Sequence, residues 1–201
     1  MVGAVERITQ NRIVKLFRDN LKYNYLGDWK DRENKNIESE LIQDFLQSQK
    51  YNDKLIERAL RELDQAASMG DGRSLYDANK DVYRMLRYGI KVKEGAGKLN
   101  QTVWLINWTD PEKNNFAFAE EVTVKGENTK RPDLVLYVNG IAIGVIELKR
   151  STVGLTEGIR QNLLNQRDDF IRRFFTTMQL VMAGNDSQGL RYGTIETREK
   201  Y

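Results

Sequence analysis

The chain has 201 residues, of which 40% are hydrophobic and 30% charged, with a formal net charge of +3. That length suits one substantial domain or a domain with an appendage, and the mild basic balance is compatible with an anionic partner. With no Cys and no His, disulfides, thiolate or imidazole metal sites, iron–sulfur clusters, haem, cysteine nucleophiles and Ser-His-Asp triads are excluded.

Catalysis is therefore left to carboxylates, Lys, Arg, Tyr, Ser/Thr or a hard, oxygen-bound ion. No apolar run reaches the length of a membrane span, and the N-terminus has no signal-peptide pattern. The expectation is a cytoplasmic protein with no membrane partner.

In chain order, Val5, Ile8, Ile13, Leu16 and Phe17 predict a helix over residues 5–20. A Tyr-rich segment with Tyr23, Tyr25 and Trp29 reads as irregular, its aromatics docking that helix on the core. Two amphipathic helices follow between Asn36 and Ala67, with Asn36 and Asn52 or Asp53 as caps. Glu38 and Glu40 fall in the first turn of the first one, where acids favour the helix dipole. Gly70-Asp71-Gly72 is a turn, and Ser74 caps a helix to Tyr88.

After Gly89 the apolar period changes to two, and strands are expected near Ile90–Val92, Val103–Leu105 and Phe116–Val124. Gly95-Ala96-Gly97-Lys98 lacks the earlier Gly, the Ser/Thr and the following helix of a phosphate loop, and is read as a turn. Beyond the central hairpin, a helix is expected from Glu157 to Phe175, then a buried strand at Gln179–Ala183 and a weak edge strand at Leu190–Ile195. The order predicts an α/β fold: a mixed central sheet flanked by helices, with an N-terminal helical region over 1–88 packing on a core over 89–201.

The stretch RPDLVLYVNGIAIGVIELKR, residues 131–150, organises the rest. Leu134–Val138 and Ile141–Leu148 read as strands around an Asn139-Gly140 hairpin turn. Glu147 and Lys149 are two apart on a strand and share a face. A two-residue turn places Asp133 opposite Ile146, on the other face. A three-residue loop, Val138-Asn139-Gly140, places it on Glu147's face. The three-residue loop is expected, with Gly140 at positive φ. Two such carboxylates suit a divalent cation, with the backbone carbonyl of Leu148 as a third oxygen.

Pro132-Asp133 followed by Glu147-x-Lys149 resembles the PD-(D/E)xK nucleases. More of the chain resembles the N-terminal region of the restriction (R) subunit of type I restriction–modification enzymes: ITQNRIVKLF, IESELIQDFL, the 131–150 stretch, EGIRQNLLNQ and QLVMAGNDSQGLRYGTI. The resemblance implies a restriction-endonuclease-like core that acts as a Mg2+-dependent, type I site-specific deoxyribonuclease. Asp133 and Glu147 would bind the metal and Lys149 would act at the attacking water. Glu38, with Glu40 as runner-up, falls where the family places a helical Glu near the site.

Gln161 matches the Gln of the family's Gln-x-x-x-Tyr motif and is expected to touch the DNA backbone. Asn165 stands in place of that motif's Tyr. Arg131, Arg150, Arg160 and Arg167 are candidate phosphate clamps. The implied partners are double-stranded DNA and the methyltransferase and specificity subunits, in a prokaryotic cytoplasm. The family's ATP-driven motor has no motif here, so ATP belongs to a region beyond this stretch. The alternative is a non-catalytic DNA-binding or subunit-docking module, in which the Lys149 amine bonds directly to both carboxylates.

Overall fold

The computed structural model describes residues 4–70 and 72–198, side chains of residues 4–6 aside. Asp71 of the expected Gly70–Gly72 turn and the Val5 side chain lie outside the described residues. The elements are α1 (Ala4–Lys15), β1 (Asn24–Asp28), α2 (Ser39–Ser48), α3 (Asp53–Ala66), α4 (Leu75–Tyr88), β2 (Ile90–Val92), β3 (Gln101–Val103), β4 (Phe116–Glu120), β5 (Leu134–Val138), β6 (Ile141–Lys149), α5 (Leu155–Asn165), β7 (Leu180–Asn185) and β8 (Gly189–Gly193). A five-residue π turn, Leu16–Asn20, prolongs α1. None of the described helices is long and apolar enough to cross a membrane.

The fold is mixed α/β. Six strands form one sheet in the order β1-β4-β5-β6-β7-β8, with β1–β4 and β6–β7 parallel and the other pairs antiparallel. β2 and β3 pair separately. Between them the Gly95–Lys98 segment makes a turn, closed by a Lys98 N–H to Gly95 O bond of 3.3 Å. Period two sorts the side chains of β5 and β6 onto two faces. Leu134, Leu136, Ile146 and Leu148 meet Val14, Ile13 and Phe17 on one face. Val135, Tyr137, Ala142 and Val145 meet Phe174, Phe175 and Leu75 on the other. A third cluster joins α2, α3, α4, β2 and β3 to Ile141, at the turn end of the hairpin.

Caps set two helix starts as expected. Asn52 accepts the Leu55 N–H, and Ser74 accepts that of Asp77, each at 3.0 Å. Asn36 is not a cap. Its side chain donates to Thr176 Oγ1 at 2.9 Å, and Glu38 takes the N-cap position of α2 in extended conformation.

Two further expectations are corrected. The Tyr23–Trp29 segment contributes an edge strand, β1. Gly27, at φ +109°, breaks its register and hides the alternation. Tyr25 still packs on Phe118, 5.1 Å between ring centres. The helix expected from Glu157 to Phe175 stops at Asn165. The chain folds back, and Arg172 returns a guanidinium N–H to Gln166 O at 3.2 Å. A short 3-10 helix, Arg172–Thr177, then buries Phe174 and Phe175 against the sheet.

Candidate active site

β5 and β6 are joined by a two-residue turn, not the expected three-residue loop. Asn139 and Gly140 have φ of 51° and 83°, the type I′ pattern, and Val138 faces Ile141. Gly140 is thus at positive φ as expected. Asn139 tolerates the left-handed region because its side chain finds partners there. Buried, it donates to Leu105 O at 2.9 Å and Asn114 Oδ1 at 2.8 Å, and accepts the Asn115 N–H at 2.7 Å.

This turn alone would strand Asp133 on the wrong face. A β-bulge prevents that. Tyr137 pairs with Ala142 but Leu136 with Gly144, so Ile143 is an extra residue and the register moves by one. Leu134 then faces Ile146, and the next step sets Asp133 across from Glu147 on one face. The pair expected from the sequence forms by a different route.

Glu147 is wholly buried, while Asp133 and Lys149 are half-buried. Burial, and next the Asp133 carboxylate, push the Glu147 carboxyl well above the usual carboxylate range; the Lys149 ammonium pulls it back. Asp133 Oδ2 accepts the Leu148 backbone N–H at 2.6 Å. Gln161, on α5, ties the two remaining groups together. Its Nε2 donates to Glu147 Oε2 at 2.7 Å, and its Oε1 accepts from Lys149 Nζ at 2.6 Å.

Asn165, one turn further along α5, is buried with its Nδ2 3.5 Å from Glu147 Oε1. That position turns inward to the carboxylate. α5 comes this close because Gly158 faces the sheet. A Cβ there would stand 3.1 Å from Ala183 Cβ and 3.5 Å from Lys149 Cγ.

Other expected residues are placed elsewhere. The Glu38 N–H donates to Gly140 O at 2.8 Å, seven residues before Glu147 on the same strand, which is roughly 20 Å of β-strand. Its carboxylate accepts from Arg32 at 2.6 Å and from Lys35 N–H at 3.0 Å. Glu40, exposed in the first turn of the same helix, is at that end too. The structure therefore does not bring a helical Glu from α2 to the pair, because α2 packs on the hairpin turn. Arg131 pairs with Glu121 at 2.9 Å and Arg167 with Asp169 at 3.2 Å, while Arg150 and Arg160 are exposed.

Sequence reading missed the acids that end β4. Glu121 donates its backbone N–H to Asp133 O at 2.9 Å and adds to the negative field on Glu147. Its side chain is held by Gln10 at 3.0 Å and by Arg131, and Glu120 accepts from Gln10 at 2.9 Å and from Tyr25. The signal was present as FAFAEE, residues 116–121, two acids closing the apolar strand that precedes the hairpin. Among the described residues no group of three His, Cys, Asp or Glu side chains is arranged to share a metal. Mg2+ is usually held by one or two carboxylates with waters and substrate phosphates. The Asp133–Glu147 pair fits that smaller donor set, and its crowded negative charge is what a divalent cation relieves.

Comparison with known proteins places the chain in a family. The family model described as the type I restriction enzyme R protein N terminus matches residues 4–200. The putative type I restriction enzyme MjaVIIIP endonuclease subunit of Methanocaldococcus jannaschii is 31% identical over 103 residues, covering 50% of this chain and 9% of that protein. The putative MjaIXP endonuclease subunit of the same organism is 37% identical over 76 residues, 35% of this chain and 7% of its own length. The type I restriction enzyme HindI endonuclease subunit of Haemophilus influenzae is 26% identical over 142 residues, 67% of this chain and 13% of its own. The chain thus spans about a tenth of the length of these relatives. Matched over nearly its whole length, it belongs to the family of type I restriction enzyme R protein N-terminal regions.

Proposed function

We propose that this chain is the nuclease module of a type I restriction enzyme, a restriction-endonuclease-like PD-(D/E)xK core that hydrolyses DNA phosphodiesters with Mg2+. The observation that carries this reading is Asp133 across from Glu147, with Lys149 the next residue on the same face. Asp133 and Glu147 hold the ion, together with a backbone oxygen at Leu148. Bound Mg2+ supplies charge relief at the phosphate and a more acidic water.

Lys149 is the cation beside them. One of its three N–H groups is spent on Gln161, and two remain to orient water and to face phosphate oxygen. Lys149 is assigned the role of charge stabiliser and water-orienter, with general base second. Gln161 is a positioning residue, and the candidate clamps are Arg131, Arg150, Arg160 and Arg167. Double-stranded DNA is the substrate. The methyltransferase and specificity subunits are the partners, and ATP is used by the motor elsewhere in the polypeptide.

Calorimetry with Mg2+ and Mn2+ tests the reading. Wild type is expected to bind and Asp133→Ala to lose binding. With plasmid DNA, Lys149→Ala is expected to slow nicking by ~10²–10³-fold, the scale of removing one preorganised charge. Gln161→Ala is expected to weaken the metal by ~10–100-fold with unchanged far-UV circular dichroism, as loss of a supporting hydrogen bond does. Wild type that binds neither ion sinks the nuclease.

The second reading is a non-catalytic DNA-binding or subunit-docking module. It is favoured by the absence of a three-acid group among the described residues and by the closure of both carboxylates with internal donors. This reading expects Lys149 to bond both acids; the structure shows Lys149 Nζ donating to Gln161 Oε1. On this reading duplex DNA binds without metal and none of the three variants changes that.

A further inference from the structure

Three large aromatics stand exposed on α4: Tyr76, Tyr83 and Tyr88, at 58, 49 and 64%. Tyr76, Lys80, Tyr83 and Arg87 recur at spacings of four, three and four, which is one stripe of a helix. Lys80 lies over the Tyr76 ring at 5.7 Å, and Arg87 over Trp108 at 5.3 Å and Tyr88 at 5.8 Å. Ring and cation alternate over roughly 16 Å of helix. None of the exposed large hydrophobic side chains on α4 is aliphatic.

The stripe ends at a cavity of about 220 Å3 between Trp104 and Trp108, with Arg87 in its wall. Both indoles are nearly half-exposed. The Trp108 ring is anchored, its Nε1 donating to Leu86 O at 2.8 Å, while at Trp104 it is the backbone N–H that donates to Tyr51 Oη at 3.1 Å. Phe45 and Tyr51 make the apolar wall. Gln49 and Asn107 add a polar edge, Asn107 Nδ2 donating to Gln49 Oε1 at 3.4 Å and Asn107 Oδ1 accepting the Asp110 N–H at 2.9 Å. The volume is below the ~300–1,000 Å3 of drug-sized sites and suits one planar ring system.

We propose that this slot and stripe bind single-stranded DNA, one unstacked base between Trp104 and Trp108 and the phosphates along Arg87 and Lys80. Exposed aromatic rings offer stacking without sequence preference, and the cations between them neutralise the backbone. A duplex keeps its bases stacked and cannot present a face to either indole. The slot sits by the hairpin turn, since Asn139 bonds Leu105 O. It is thus roughly 20 Å along β6 from Glu147 and uses none of the nuclease residues. The proposal goes beyond the cutting reaction.

The chain carries its own probe. Of three Trp residues, Trp29 is buried against Tyr137, so added ligand quenches Trp104 and Trp108. Titration of the wild-type chain with oligo-dT of 20 nucleotides, in EDTA and low salt, is expected to give saturable quenching. Trp108→Ala and Arg87→Ala are each expected to weaken binding about 5–100-fold by anisotropy of a labelled strand. Trp104→Phe, which keeps a stacking ring and the backbone N–H, is expected to stay within about 3-fold and guards against misfolding. Working in EDTA keeps the result separate from any failure of the metal site. Absence of saturable quenching by oligo-dT overturns the proposal, as does quenching of equal depth and affinity by a 20-base-pair duplex or by oligo-rU.

Discussion

Glu147→Gln is expected to make stability independent of pH where the wild type loses it, and to abolish Mg2+ binding at the same time. The Glu147 carboxyl is raised in the folded chain by burial and then by Asp133. A carboxyl raised on folding prefers its proton in the native state. Its contribution is complete below the ordinary carboxylate range and is lost as pH climbs toward the raised folded value. Wild type without metal should therefore lose stability from that range upward. Gln at this position carries no charge to bury and removes that slope.

The same burial makes the pair receptive to a cation, which favours the ionised form. Mg2+ at about 100 times its dissociation constant is expected to add ~2.7 kcal/mol to the wild type and nothing to the variant. Thermal denaturation across pH, in EDTA and in Mg2+, checks both halves. A wild type with flat stability from acid to neutral pH would contradict the burial argument. A variant still stabilised by Mg2+ would remove Glu147 from the metal site.

Gly140→Ala is expected to destabilise the chain by ~2–5 kcal/mol, a large share of the ~5–15 kcal/mol that holds a typical domain. Two costs add. At φ +83° a Cβ crowds its own backbone, worth roughly 1–2 kcal/mol. It would also stand 2.7 Å from Leu41 Cβ, 2.8 Å from Ile42 N and 2.9 Å from Glu38 O, where overpacking costs ~1–3 kcal/mol. These atoms begin α2 and make up the contact on the turn, so neither side can yield without unseating the helix.

Gly97→Ala is the control. Its φ is +76°, but the space around it is open, and only the backbone cost of roughly 1–2 kcal/mol is expected. Urea denaturation separates the two by midpoint, with the slope m unchanged if both variants unfold from the same compact state.

The site was legible to unequal depth. Period two alone placed Glu147 and Lys149 on one face, and the Asn-Gly pair located the hairpin turn. The route by which Asp133 reaches that face was not legible. A turn one residue shorter and a bulge one residue longer cancel, and nothing in the local composition marks Ile143 as the extra residue. The partnership of Gln161 was legible as a motif position, but its bridging bonds to Glu147 and Lys149 depend on how closely α5 lies on β6. Glu38 was misplaced because a helix start near an acid in sequence says nothing of which end of a strand that helix meets. Glu120 and Glu121 were passed over because acids after a strand look like a solvated end. Gln10, brought from α1 over a hundred residues away in sequence, is what buries them.

By itself the sequence determined which chemistry is open to this protein, where its strands and most helices run, and which charges interrupt its most apolar hairpin. These follow from short-range rules of residue type, period and capping, each satisfied within a few neighbours. The tertiary structure alone decided which acids become neighbours, which is buried, and which helix end reaches them. Strand register, sheet order and helix docking are chosen by packing the whole chain at once, and a one-residue shift in any of them redistributes every side chain between faces.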